Sequence, residues 1–325
     1  MTKALLEVKE LTCHYKLAKT TLPALNHLSL AIPSGTTYGL VGESGCGKST
    51  AALSIARLQK ITSGSIFFEG RDITHLEGKP LMDIRKKMRM LFQNPEMVLN
   101  PGMTIREILT EETLKLKLTS QEERTKLISE TLEKTGLSPR HLHRYPRSLS
   151  TGEKQRAALT RALITLPSFL LLDEPVASLD LSLKAGIINL LIQLQKDMGL
   201  TYLFISHNLG MVKTIAQTIG VMYMGYLIEE APVKFFSATQ VLHPYSRLLL
   251  ASVPSIQAEQ YRSILQEYPD AEPQRLTDGC PFRNRCPLYK DDPDVRCTNE
   301  NPTLQLYTHQ RRVACHKIER VYNSP

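Results

Sequence analysis

Hydrophobic positions along this chain change their period several times, and each change predicts an element. The opening "MTKALLEVKELTCHY" alternates apolar and polar residues, with charges inside it, and reads as a β-strand. Short apolar runs follow at residues 38–41, in "FLLLD" (169–173) and in "IGVMYMGYLI" (219–228), each short enough for buried strands. Helical spacing follows the first run in "AALSIARL". It recurs over residues 148–163, where Ala157, Ala158, Ala162 and Leu163 share a face. In "SQEERTKLISETLEKTGL", Ser120 with Glu123 three residues on predicts a helix N-terminus closed by a capping box. The outcome is an α/β chain. No apolar run reaches the roughly 18 residues of a membrane-spanning helix. The N-terminus also lacks the apolar core and small-residue cleavage site of a secretory signal, so the chain is expected to stay in the cytosol.

Firm chemistry begins after the run at 38–41. Gly42, Glu43, Ser44, Gly45, Cys46, Gly47, Lys48 and Ser49 match G-x-x-x-x-G-K-S, and Thr50 leads into the helical stretch. Glycines let backbone N–H groups turn inward around phosphate oxygens, and a helix N-terminus adds its dipole. Lys48 is expected to reach the β- and γ-phosphates and the Ser49 hydroxyl to ligate Mg²⁺. A second apolar run ends in Asp173 and Glu174 and is broken by Pro175. A buried strand that stops at two acids puts them at the carboxyl edge of a sheet, where α/β proteins bind ligands. Asp173 suits the Mg²⁺ environment, and Glu174 suits polarisation of the attacking water.

Between loop and acids lies "SLSTGEKQRAALTRAL", which resembles the signature of ABC ATPases. "LFQNP" with Gln93 resembles their Q-loop, "SLD" (178–180) their D-loop, and "ISHN" with His207 their switch histidine. Tyr15 stands where the family stacks an aromatic on adenine. These pieces run in family order over residues 15–207. The resemblance implies an ABC nucleotide-binding domain of P-loop NTPase fold over about 1–235, with a helical signature subdomain at about 95–165, an accessory region at 236–325, and ATP with Mg²⁺ as ligands. It also implies that Ser150, Gly152 and Glu153 serve ATP held by an opposite subunit, that His207 holds the γ-phosphate, and that Gln93 senses Mg²⁺. The signature departs from the common LSGGQ in reading "LSTGE". A β-branched Thr151 at the first glycine would be strained at positive φ, and a mild asymmetry between the two sites is expected if that backbone is required.

"RKKMRMLFQNPEMVLNPGMTIREIL", "HPYSRLLLASVPS" and the cysteine-bearing tail resemble the ATPases of dipeptide and oligopeptide importers, the F-type subunit in particular. The implied partners are a D-type second ATPase, two permease subunits and an extracytoplasmic substrate-binding protein. The implied location is peripheral, on the cytoplasmic face of the inner membrane. Transport of nickel, a metallophore or another small solute, or a non-transport ABC role, are the alternatives.

Composition adds little until the tail. The chain of 325 residues carries a formal net charge of +8, but its basic residues are scattered, which reads as a solvated surface and not as a nucleic-acid stripe. Four of the six cysteines do cluster: Cys280, Cys286, Cys297 and Cys315 are separated by five, ten and seventeen residues. Structural zinc usually shows tighter pairs. The resemblance implies that the four can hold a [4Fe–4S] cluster, whose standard ligands are four thiolates. A zinc site, with His309 or His316 recruited, and an unliganded thiol patch stay open. Cys46 reads as a small packing residue.

Overall fold

The computed structural model describes residues 4–16, 21–116, 118, 120–237, 239–252, 266, 268–269, 271–274, 276, 278–308 and 310–319. His309 and the end of "HPYSRLLLASVPS", residues 253–255, lie outside them. The chain opens with strands β1 (Ala4–Lys16), β2 (Thr21–Pro33) and β3 (Thr37–Val41), then helix α1 (Lys48–Ile55), β4 (Ser63–Phe68), β5 (Arg71–Asp72), α2 (Gly78–Lys87) and β6 (Met88–Leu91). Three helices follow: α3 (Ile105–Thr113), α4 (Gln121–Thr135) and α5 (Thr151–Leu163). Strand–helix alternation then resumes with β7 (Phe169–Asp173), α6 (Leu181–Met198), β8 (Thr201–Ser206), α7 (Leu209–Ile215), β9 (Thr218–Tyr223) and β10 (Tyr226–Pro232). The tail holds α8 (Pro244–Ala251), α9 (Pro287–Asp291), α10 (Val295–Asn299), β11 (Gln305–Thr308) and β12 (Arg311–Val313).

Two sheets form. One has the order β2-β1-β4-β5 with antiparallel pairings throughout; the other has the order β11-β12-β10-β9-β3-β8-β7-β6. In the second, β6, β7, β8, β3 and β9 run parallel. The apolar run in β7 is continuous because both its faces are covered. Phe169 and Leu171 join Leu203, Ile205, Leu6, Leu28 and Ala52 in a core shared with the first sheet and α1. Leu170 and Leu172 join Tyr202, Phe204, Leu163, Leu191 and Val212 in a core under α5, α6 and α7. Side-chain alternation along a strand thus serves two cores at once. The run 219–228 resolves into the hairpin β9–β10, turning at Met224 and Gly225, both at positive φ.

The three-helix layer has its own core, including Ile105, Ile108, Leu109, Ile128, Leu132 and Ala157. The capping box of Ser120 and Glu123 closes α4, and Thr104 with Glu107 closes α3 in the same way. One buried carboxylate ties this layer to the sheet. Glu112 of α3, with a side chain 1% exposed, accepts from Arg89 of β6 at 2.8 Å, Lys115 at 2.7 Å and Arg161 of α5 at 2.6 Å.

The tail returns to the main sheet. β12 pairs with β10, setting Glu229 opposite Val313 and Glu230 opposite Arg312. Arg312 bonds Glu230 at 2.7 Å, and Tyr38 of β3 donates its hydroxyl to the same carboxylate at 2.6 Å. Cys280, Phe282 and Cys297 lie in the core under α5–α7. Among the described residues no helix is long and apolar enough to cross a membrane.

Removing the charge of Glu112 leaves the partly buried Arg89 and Arg161 without the carboxylate that joins them. Glu112→Gln is expected to destabilise the protein by about 3–5 kcal/mol, read as a shift of the urea midpoint. A loss below about 1 kcal/mol would place this knot among ordinary surface pairs.

Candidate functional site

Parallel register gathers the site. Val41 stands beside Ser206 and Val221, and Asp173 beside Ile205. Gly42, Glu174 and His207 therefore leave β3, β7 and β8 at one carboxyl edge. Charged side chains are costly inside these strands and are admitted at their ends.

The loop from Gly42 turns into α1 without a side-chain cap, leaving its first N–H groups for a ligand. Gly47 has φ 111°, and a Cβ there would stand 2.5 Å from the Ala24 carbonyl oxygen, so only glycine fits. Lys48 is buried and donates from Nζ to the carbonyls of Gly42 and Glu43, both at 2.8 Å. Ser49 donates its hydroxyl to Asp173 Oδ1 at 3.2 Å. Burial pushes the Asp173 carboxyl up, and the Ser49 hydrogen bond opposes it. A hydroxyl facing a carboxylate over an anion-binding loop is a hard-oxygen pair that suits Mg²⁺.

Glu174 takes φ 46°, a left-handed conformation uncommon outside glycine. Its amide donates to the Ile205 carbonyl at 3.0 Å, which fixes it to β8. Both its carboxylate oxygens lie 3.1 Å from His207 Nδ1. A cavity of about 750 Å³ has Tyr15, Glu43, Ser44, Gly45, Gly47, Lys48, Ser49, Thr50, Gln93, Glu174 and His207 in its wall. Tyr15 Oη stands 3.3 Å from Thr50 Oγ1. Gly42, Cys46 and Asp173 support this wall from behind without lining it.

Sequence reading missed one wall. Leu22 and Ala24 of β2 and Leu248, Leu249 and Ser252 at α8 also line the cavity. Nothing in the sequence gave "RLLLA" a place at the site; the packing of α8 aims it at the phosphate loop. Tyr245 of α8 accepts the Glu43 amide at 2.8 Å, and Arg285 bonds both Glu43 carboxylate oxygens at 3.0 Å.

Ser150, Gly152 and Glu153 do not line this cavity. Ser150 caps α5, accepting from the Glu153 amide at 3.3 Å, while the Glu153 carboxylate accepts from the Ser150 amide at 2.8 Å. The Ser150 hydroxyl proton remains to be donated outward. Those hydrogen bonds to Ser150 hold the Glu153 carboxyl below its ordinary range. Thr151 is the first residue of α5 and is not among the residues at positive φ. The strain expected there is absent, because the helix begins at Thr151 and asks no left-handed turn of it.

The expectation for the tail is a cluster, zinc or an unliganded thiol patch. All four tail cysteines are free thiols. Burial pushes the Cys315 thiol up to about 12, with neighbouring Cys286 and Cys297 adding to the rise, and pushes Cys280 up further. Yet among the described residues no group of three or more His, Cys, Asp or Glu is arranged to hold a metal ion. As placed, the residues fit neither a [4Fe–4S] cluster nor zinc. His316 is engaged with the Glu300 carbonyl at 2.9 Å.

A phosphate loop at a switch in strand order, two strand-end acids and a histidine define an ATPase of the ABC class. Residues 25–177 match the ABC transporter family and residues 228–292 the oligopeptide/dipeptide transporter C-terminal region. The chain is 42% identical to the oligopeptide transport ATP-binding protein OppF of Bacillus subtilis, over 86% of its own length and 92% of that protein's. It is 36% identical to the di/tripeptide transport ATP-binding protein DppF of Pseudomonas aeruginosa, over 98% of both. Among solved structures it resembles the dimeric ATP-binding cassette MJ0796 bound to ADP and phosphate, with TM-score 0.65, 29% identity, and coverage of 70% of this chain and 98% of that one. The chain belongs to the ABC transporter ATP-binding family, in the group that carries the oligopeptide/dipeptide transporter C-terminal region.

Since Thr151 sits in ordinary helix, Thr151→Gly is expected to leave ATPase activity of the assembled complex within about twofold. A rise of about fivefold or more would show that the bound state needs a different backbone there. Burial raises the Cys46 thiol, and Lys48 only partly opposes it. Iodoacetamide at pH 7.5 should therefore leave Cys46 unlabelled in the folded protein, with labelling rising as pH rises and after urea unfolding, as peptide mass spectrometry would read.

Proposed function

We propose that this chain is the ATP-hydrolysing subunit that energises an ABC importer of dipeptides or oligopeptides. The observation that carries the reading is the meeting of Lys48, the Ser49–Asp173 pair and the Glu174–His207 pair at one sheet edge. The names and full-length coverage of the peptide-transport relatives support the substrate class.

In this reading Tyr15 carries the adenine, and the amides from Gly42 to Thr50 hold the phosphates. Lys48 leaves its two loop carbonyls for the β- and γ-phosphate oxygens. Ser49 and Asp173, with Gln93, hold Mg²⁺, which when bound neutralises charge on the β- and γ-oxygens. Glu174 accepts a hydrogen bond from the attacking water and aligns it with the γ-phosphorus. His207 fixes that carboxylate at 3.1 Å and lies at the mouth, with its side chain 57% exposed, where it can reach the γ-phosphate. Little covalent work by protein groups is required, since positioning and charge neutralisation carry most phosphoryl-transfer catalysis.

Ser150, Gly152 and Glu153 stand away from the chain's own cavity, which supports their service to ATP on a second ATPase subunit of the D-type. Two permease subunits and an extracytoplasmic binding protein complete the assembly, and the chain lies peripherally at the cytoplasmic face of the inner membrane. Residues 1–235 form the nucleotide-binding domain, with the helical subdomain at about 95–165, and residues 236–325 form the accessory region. The four reduced thiols of the tail supply the donor chemistry for a cluster or zinc. Their arrangement weighs against either, and no step of hydrolysis passes through them.

The test is Glu174→Gln in the assembled transporter. Hydrolysis should fall about 10²–10⁴-fold, with ATP binding retained and peptide uptake lost in parallel. Hydrolysis unchanged in that variant would refute the role of Glu174. Hydrolysis stimulated by another small solute and not by peptides would refute the substrate class while leaving the ATPase intact.

A further inference from the structure

The cysteine-bearing loop reaches the phosphate loop through one residue, Arg285. Its Nη1 lies 3.0 Å from each carboxylate oxygen of Glu43, and only 15% of its side chain is exposed. The guanidinium stacks 5.8 Å above the Phe282 ring and 5.9 Å above Tyr223. Phe282 is itself wedged edge-on against Tyr223 and Tyr245, at 5.2 and 5.4 Å. Arg285 therefore stands on a rigid aromatic platform. Glu43 is held at every polar group: the carboxylate by Arg285, the amide by Tyr245 and the carbonyl by Lys48.

The electrostatics set the consequence. Glu43 lines the cavity that receives a polyphosphate, beside Lys48 and Ser49. A free carboxylate there repels the ligand and competes for Lys48. Paired with a largely buried guanidinium it does neither, because the pair is close to neutral and its direction is fixed. A planar guanidinium stacked over two rings in this way is poorly reproduced by a lysine ammonium.

We propose that Arg285 is a positioning residue for nucleotide binding: it holds the Glu43 carboxylate and cancels its charge, so that the tail sets the affinity of the site for ATP. The inference rests on the nucleotide-site reading above. Arg285 touches no reacting atom, so its loss appears in KM and not in kcat.

The test uses the assembled transporter with ATP and a fluorescent ATP analogue. Arg285→Met keeps the stem over the aromatic rings and removes the charge. It should raise KM for ATP about tenfold with kcat within about twofold, and the rise should shrink at high salt. Adding Glu43→Gln to Arg285→Met should bring KM back to within about threefold of the unmodified complex, since the uncompensated charge is then gone. An unchanged KM in Arg285→Met, or a rise that Glu43→Gln does not relieve, overturns the proposal and leaves Arg285 a packing residue. Should Arg285→Met fail to assemble, Arg285→Gln takes its place, alone and with Glu43→Gln: a KM raised about tenfold alone and relieved in the pair supports the proposal, and an unchanged or unrelieved KM opposes it. Failure of the unmodified complex to bind the analogue in a Lys48-dependent way would strike the nucleotide-site reading itself, a result distinct from equal binding by the unmodified and Arg285→Met complexes.

Discussion

The structure depends on a parallel sheet that is apolar on both faces. β3, β7 and β8 are buried along their length, so they can present charge only where they end. Their register makes those ends coincide. The phosphate loop, Asp173 and Glu174, and His207 then fall together as a consequence of strand pairing and need no long-range contact of their own. A shift of one residue in β7 would reverse which side chains face each core and carry the acids out of line.

Onto this edge the chain adds two structures that hold it from opposite sides. The helical layer is anchored through Glu112, whose three cationic partners come from β6, from α5 and from the segment after α3. β6 is the strand that leads to Gln93, so the same knot fixes the start of the Q-loop segment. The tail holds the other side through the β10–β12 pairing, the Tyr38–Glu230–Arg312 network and the Arg285–Glu43 contact. The accessory region is thus a wall of the nucleotide cavity as well as an extension of the sheet.

The signature turns away from the site it resembles part of. Ser150 and Glu153 satisfy each other across the first turn of α5, and the serine hydroxyl, used there as an acceptor, keeps its proton to donate. Ser150, Gly152 and Glu153 lie outside the cavity wall, which supports the proposed service to a second ATPase subunit. The ordinary backbone at Thr151 removes a reason to expect the two halves to differ.

Local rules made much of this legible. The match from Gly42 to Ser49 is contiguous, so its chemistry needs only nearest neighbours. The run ending at Asp173 and Glu174 carried its own burial pattern, and the Ser120–Glu123 box lies within one turn. The order of Gln93, the signature, the acids and His207 along the chain marks the family. What the chain alone could not reveal was contact between segments far apart in sequence. Arg285 lies 242 positions from Glu43, and nothing in "FRNRC" marks which arginine meets the loop. Leu248 and Leu249 carry no local mark of what they face. The four tail cysteines, far apart in sequence, come close enough to perturb one another, a gathering that their loose spacing did not reveal. Sequence by itself determined the elements, the phosphate chemistry and the family, because these follow from periodicity and short-range geometry. Only the tertiary structure decided which wall closes the cavity and what holds Glu43, because pairing across the sheet selects among many residues of the same type.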